Sequence, residues 1–132
     1  MKNKKILSFL FIIFYLFPIN TILGEEIFFE TPEIETFENG NLLKAHKGGK
    51  AIIDNTTEIT AEKFEYNKIT KILIAQGNAV GIDKLNKIKI TADKLTYDKI
   101  KLIFIANGNS KATDKLNNVT IEADELEYNK KD

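Results

Sequence analysis

TEITAEKFEYNKITKILIAQGNAVGIDKLNK, residues 57–87, lies without a gap over IKITADKLTYDKIKLIFIANGNSKATDKLNN, residues 88–118, and sixteen of the 31 positions are identical. The pattern begins a third time at residue 119 as VTIEADELEYNK, which brings Ala61, Ala92 and Ala123 into register, and likewise Tyr66, Tyr97 and Tyr128. Upstream, Thr36 to Asp54 resembles the second part of the unit at an offset of 29, with Phe37 in the place of Tyr66 and Gly48 in the place of Gly77. The chain is therefore built as half a unit, two whole units and another half. A unit of this size cannot bury its own apolar face and must stack on its neighbours.

Each unit reads as two strands. Ile59 and Ala61 alternate with Thr60 and Glu62, and Phe64 and Tyr66 alternate with Lys63 and Glu65, a period of two that a helix does not give. The apolar phase slips by one between Ala61 and Phe64, and again at Ala92 to Leu95 and Ala123 to Leu126, as a bulge that turns a strand round a corner requires. Asn67-Lys68, Asp98-Lys99 and Asn129-Lys130 are turn signals. The second strand, Ile72 to Ala75 and Ile103 to Ala106, is apolar at four positions running, so its period does not say whether Ile72 and Ile74 or Leu73 and Ala75 face inward. Gly77-Asn78 and Gly108-Asn109 then interrupt it. Connections of two to five residues suit antiparallel hairpins, whereas parallel pairs need crossovers of about a dozen. The expected fold is all-β, a curved antiparallel sheet folded over on itself; the alternative is a parallel solenoid with one 31-residue coil per turn.

Beyond the repeat, Lys2, Lys4 and Lys5 precede an apolar run from Ile6 to Phe17, and Gly24 precedes the acidic Glu25 and Glu26. Residues 1–24 read as an export signal, or as a retained membrane anchor, with one β domain over 25–132. Without residues 1–24, 16 lysines face 19 carboxylates, a net charge of −3. A mildly acidic exported domain lacks the basic face that nucleic acid demands. The chain has no Cys, Trp or Arg and one histidine, His46, read as a loop residue. Disulfide frameworks and thiolate metal sites are excluded, no Ser, His and Asp grouping supports nucleophilic catalysis, and neither an enzyme nor a cofactor is expected. Glu62, Asp93 and Asp124 recur once per unit without the clustered ligands of a Ca²⁺ site, which suits bulge capping. Tyr66, Tyr97 and Tyr128 suit a ladder of cross-strand aromatic contacts.

ITAEKFEYN, ITADKLTYD and IEADELEYN, the first two followed by AQGN and ANGN, resemble the OstA-like domain of periplasmic lipopolysaccharide-transport proteins of the LptA type and of the N-terminus of the outer-membrane protein LptD. The resemblance covers residues 36–132. It implies an open β-jellyroll, a taco-like fold, whose apolar interior shields the acyl chains of lipopolysaccharide and which joins head to tail, with itself or with other OstA-like domains, into a bridge across the periplasm. A retained anchor would instead match the membrane-tethered member of that pathway. The chain is shorter than a typical bridge protein and stops half a unit into its third repeat.

Under that resemblance the candidate groove lining is Ile59, Phe64, Ile72, Ile74, Ile90, Leu95, Ile103, Ile105, Ile121 and Leu126. The same residues would equally fill a closed core, since core and groove share one composition. The competing function is a structural or interaction module with a filled core that binds protein or glycan through its edge. The last strand, ending at Tyr128, is expected to present unpaired N–H and C=O groups to another strand, or to be protected by Glu122, Asp124, Glu125 and Glu127.

Overall fold

The computed structural model describes residues 26–131, so the export signal expected at 1–24 lies outside the described residues. Ten strands form one sheet: β1 (Phe28–Glu30), β2 (Glu35–Phe37), β3 (Leu42–Ala45), β4 (Gly49–Ile52), β5 (Thr57–Ala61), β6 (Lys63–Asn67), β7 (Ile72–Asp83), β8 (Ile88–Asp98), β9 (Ile103–Asp114) and β10 (Val119–Asn129). Every pairing among them is antiparallel, which sets aside the solenoid. The sheet folds over on itself, as the repeat requires.

The four long strands run through the bend and serve both layers. Residues 72–76 of β7 pair with β6, and residues 80–83 of the same strand pair with β5. One layer thus holds β2, β3, β6 and one half each of β7 to β10. The other holds β1, β4, β5 and the remaining halves. The register shifts between Gln76 and Ala79, between Thr91 and Lys94, and between Ala123 and Glu125, where the apolar phase slips in the sequence.

The bend has a built cause. Gly77 and Gly108 hold φ of 84° and 81°, and Asn78 and Asn109 follow at 46° and 49°. This left-handed pair is tolerated by Gly and Asn and by few other residues. The Asn78 amide donates to Glu62 Oε1 at 3.1 Å, and the Asn109 amide donates to Asp93 Oδ2 at 3.0 Å. A Cβ on either glycine would collide with that same carboxylate. The capping role expected of Glu62 and Asp93 is therefore met by the Gly-Asn step of the following strand.

The interior face is settled by pairing. Tyr66, Leu73, Tyr97, Phe104 and Tyr128 form one row across the first layer, and Phe64, Ala75, Leu95, Ala106 and Leu126 form the next. Tyr97 packs tilted on Phe104 with centroids 4.6 Å apart, and Phe104 stacks on Tyr128 at 6.1 Å, so the expected aromatic ladder joins Tyr97 and Tyr128 through Phe104, while Leu73 separates Tyr66 from it. Leu73 and Ala75 face inward and are fully buried. Ile72, Ile74, Ile103 and Ile105 consequently belong to the opposite, outer face, where they are only partly covered. Four successive apolar residues hide the phase, and the tyrosine row decides it. Phe37 is a second correction: Thr36 pairs with the inward Leu43, so Phe37 points outward, 41% exposed under Lys44, and does not take the place of Tyr66. Ion pairs on the outer face, such as Lys84 with Glu58 at 3.2 Å, contribute little in water.

The hydroxyls of Tyr66 and Tyr97 are buried without a hydrogen-bond partner among the described residues, and burial pushes both phenols upward in pKa. An unpaired buried hydroxyl costs about 1–3 kcal/mol. Tyr97→Phe is accordingly expected to raise stability by roughly 1 kcal/mol in urea unfolding, with a lower midpoint as the contrary result.

Candidate functional site

The two layers are skewed, and the skew opens the interior at one end. Tyr128 on β10 of the first layer reaches Asp83 on β7 of the second, its hydroxyl donating to Oδ2 at 2.7 Å. The first layer's last strand therefore lies over β7 of the second, and the second layer's β9 and β10 extend past it. At the other end Phe29 of β1 closes on Phe64 at 5.8 Å, so the space there is filled.

The ten residues proposed from the sequence separate into three sets. Ile59, Phe64, Ile90 and Leu95 are buried between the layers. Leu126 is half-buried and Ile121 is 52% exposed, although both face inward. Ile72, Ile74, Ile103 and Ile105 lie on the other side of the sheet. Where the second layer overhangs, a cavity of about 360 Å³ opens, walled by Ile88, Ile90, Ala112, Val119, Ile121 and Leu126 and also touched by the polar Thr113, Asp114, Asn117, Glu127 and Tyr128. A volume of this order suits a small apolar ligand or part of a larger one. Pairing brings Ile90, Ala112 and Ile121 into one row on the second layer, facing Leu126 on the first.

The mouth opposite the bend is closed by a polar latch. Asp83 accepts from Tyr128, from the Asn86 side-chain amide at 2.8 Å, and from the backbone N–H of Leu85 and Asn86 at 3.1 and 3.2 Å. Burial disfavours its charge, but these donors outweigh that and hold the carboxyl below the usual range. Burial, reinforced by Asp83, pushes the Tyr128 phenol up to about 12. Beside it Lys130 donates to Thr57 Oγ1 at 2.6 Å and Asp54 Oδ2 at 3.3 Å and sits 6.0 Å from the Tyr97 ring. For Asp54, too, burial opposes the charge, and the hydrogen bonds from Thr56 and the charge of Lys130 overcome it.

The sequence does not signal this latch. Asp83 begins a turn just as Asp114 does, and its partner lies 45 residues away in the other layer. Among the described residues β10 pairs with β9 alone, leaving its other edge open, with Glu122, Asp124, Glu125 and Glu127 along it. His46 lies between β3 and β4, its ring nitrogen 3.6 Å from a Glu35 carboxylate oxygen.

Among known proteins, no family model and no curated sequence matches the chain. Among solved structures the chain is similar to LptH, described as the LptA-homologous periplasmic component of the conserved lipopolysaccharide transport device from Pseudomonas aeruginosa, with a TM-score of 0.70 at 12% identity. The match covers 80% of this chain and 76% of that one. At that identity the likeness is one of fold: the open antiparallel jellyroll.

Proposed function

We propose that the chain is a non-enzymatic carrier of the periplasm that shields the acyl chains of lipopolysaccharide between its two layers. The observation that carries this reading is the mainly apolar cavity at the β10 end, walled by Ile90, Ile121 and Leu126, of which Ile90 belongs to the buried core. Each buried methylene of an acyl chain gains about 0.8 kcal/mol, so such a site needs apolar length and little directional chemistry. The open β10 edge accepts a strand from a neighbouring domain and so continues the slot from one molecule to the next. The fold shared with LptH supports the assignment to lipopolysaccharide transport, and the row of lysines in residues 1–24 followed by an apolar run supports export.

A second reading, an interaction module with a filled core, is favoured by the dense packing around Phe29, Phe64 and Tyr66. Titration of the folded domain with lipopolysaccharide or a fluorescent fatty-acyl probe separates the two. Ile121→Glu places a carboxylate in the cavity wall at a half-exposed position that folding tolerates. It is expected to weaken binding by about tenfold or more, because an unpaired charge is costly beside hydrocarbon. Ile105→Glu on the outer face is expected to bind as the parent does. Absence of saturable binding by the folded parent leaves the interaction module.

A further inference from the structure

The carboxylate at the bend recurs three times, and two copies are answered in the same way. Glu62 on the turn from β5 to β6 is met by Gly77-Asn78 of β7, and Asp93 of β8 is met by Gly108-Asn109 of β9. The third copy, Asp124 of β10, has no Gly-Asn step opposite it among the described residues, and it lies on the edge that pairs with no further strand. Ser110 of β9 already donates to the Asp124 carbonyl at 3.3 Å from the paired side, so the bulge is formed and its side chain is exposed.

Resting on the end-to-end reading of this edge, we infer that Asp124 is a register key: the edge takes an antiparallel strand that carries a Gly-Asn step. Between β8 and β9, Lys94 pairs with Asn107 and Thr91 with Lys111. The same register on β10 sets Glu125 beside the residue before the Gly-Asn step and Glu122 beside the residue two after it, which is Val80 in β7 and Lys111 in β9. A lysine there, as in β9, meets an edge bearing four carboxylates, an arrangement of opposite charges. Only glycine admits the Asp124 side chain at this contact, because a Cβ would occupy the carboxylate's place, as it would at Gly108.

A second copy of this chain does not supply such a strand. Counting antiparallel pairings across the sheet, its free edges β1 and β2 run in the same direction as β10. Laid head to tail, they would pair parallel, with 31–34 at the bend and no Gly-Asn step there. Two β10 edges related by a two-fold axis through their middle would set Asp124 against Asp124, a repulsive pairing.

The test uses labelled synthetic peptides and the folded domain. A peptide of residues 103–114, the chain's own example of an answering strand, is expected to bind saturably in fluorescence anisotropy. The peptide with Gly108→Ala and Asn109→Ala, and the parent peptide added to the Asp124→Ala domain, are each expected to bind at least tenfold more weakly. Equal binding by all pairs overturns the key and leaves the open edge intact. No binding by any peptide overturns both. An acyl probe titrated in parallel is expected to bind the Asp124→Ala domain normally, which reports on the carrier reading independently of the edge.

Discussion

Phe104→Ala should destabilise the domain by about 3–5 kcal/mol, the range for removing a fully buried aromatic ring from a core that cannot collapse. Phe104 is 1% exposed and packs between Tyr97 and Tyr128 on its own layer. It also binds the layers together: a Cβ added to Gly81 of the opposite layer would lie 3.1 Å from the Phe104 ring and 3.3 Å from Leu95. Removing the ring opens a hole between both layers at once, next to the cavity already present at β10. Urea unfolding measures the effect, and a loss below about 1 kcal/mol would mean that the layers are not held by this contact.

Asp83→Ala is expected to cost about 2–4 kcal/mol, because it strands several donors at once. The Tyr128 hydroxyl, the Asn86 amide and two backbone N–H groups lose their acceptor. The pH dependence follows from the same group. Asp83 and Asp54 have carboxyl pKa values depressed in the fold, so their contribution is present above the unfolded value of about 3.9 and fades as pH falls through their lower folded values. Tyr128 is raised to about 12, so its contribution is whole below the unfolded value of about 10 and is lost as pH climbs towards 12. Stability should be flat between these limits and fall on both sides. In Asp83→Ala the acid side should flatten, and an acid limb as steep as the parent's would place the titrating group elsewhere.

The antiparallel sheet, its hairpins and the place of each bend are legible in the sequence, because the repeat writes the phase slip at Ala61, Ala92 and Ala123 three times. The face of β7 and β9 is not legible. Ile72, Leu73, Ile74 and Ala75 are all apolar, and the choice between them is made by Tyr66 and Tyr97 across the ladder. Phe37 fails for the opposite reason: it matches Tyr66 in sequence, but β2 is an edge strand of three residues followed by a tight turn, and its phase comes from Thr36 and Leu43. The latch was unreadable because Asp83, Tyr128 and Lys130 meet only through the skew of one layer on the other, a property of the assembled sheet.

That the long strands cross the bend has a consequence for how such a chain grows. Each duplicated 31-residue unit contributes one hairpin to both walls simultaneously, so a single copying event would extend the enclosure by about 10 Å without disturbing the hinge or unbalancing either side. Capacity for a hydrocarbon guest would then rise in fixed increments, set by gene duplication and not by reshaping any one wall.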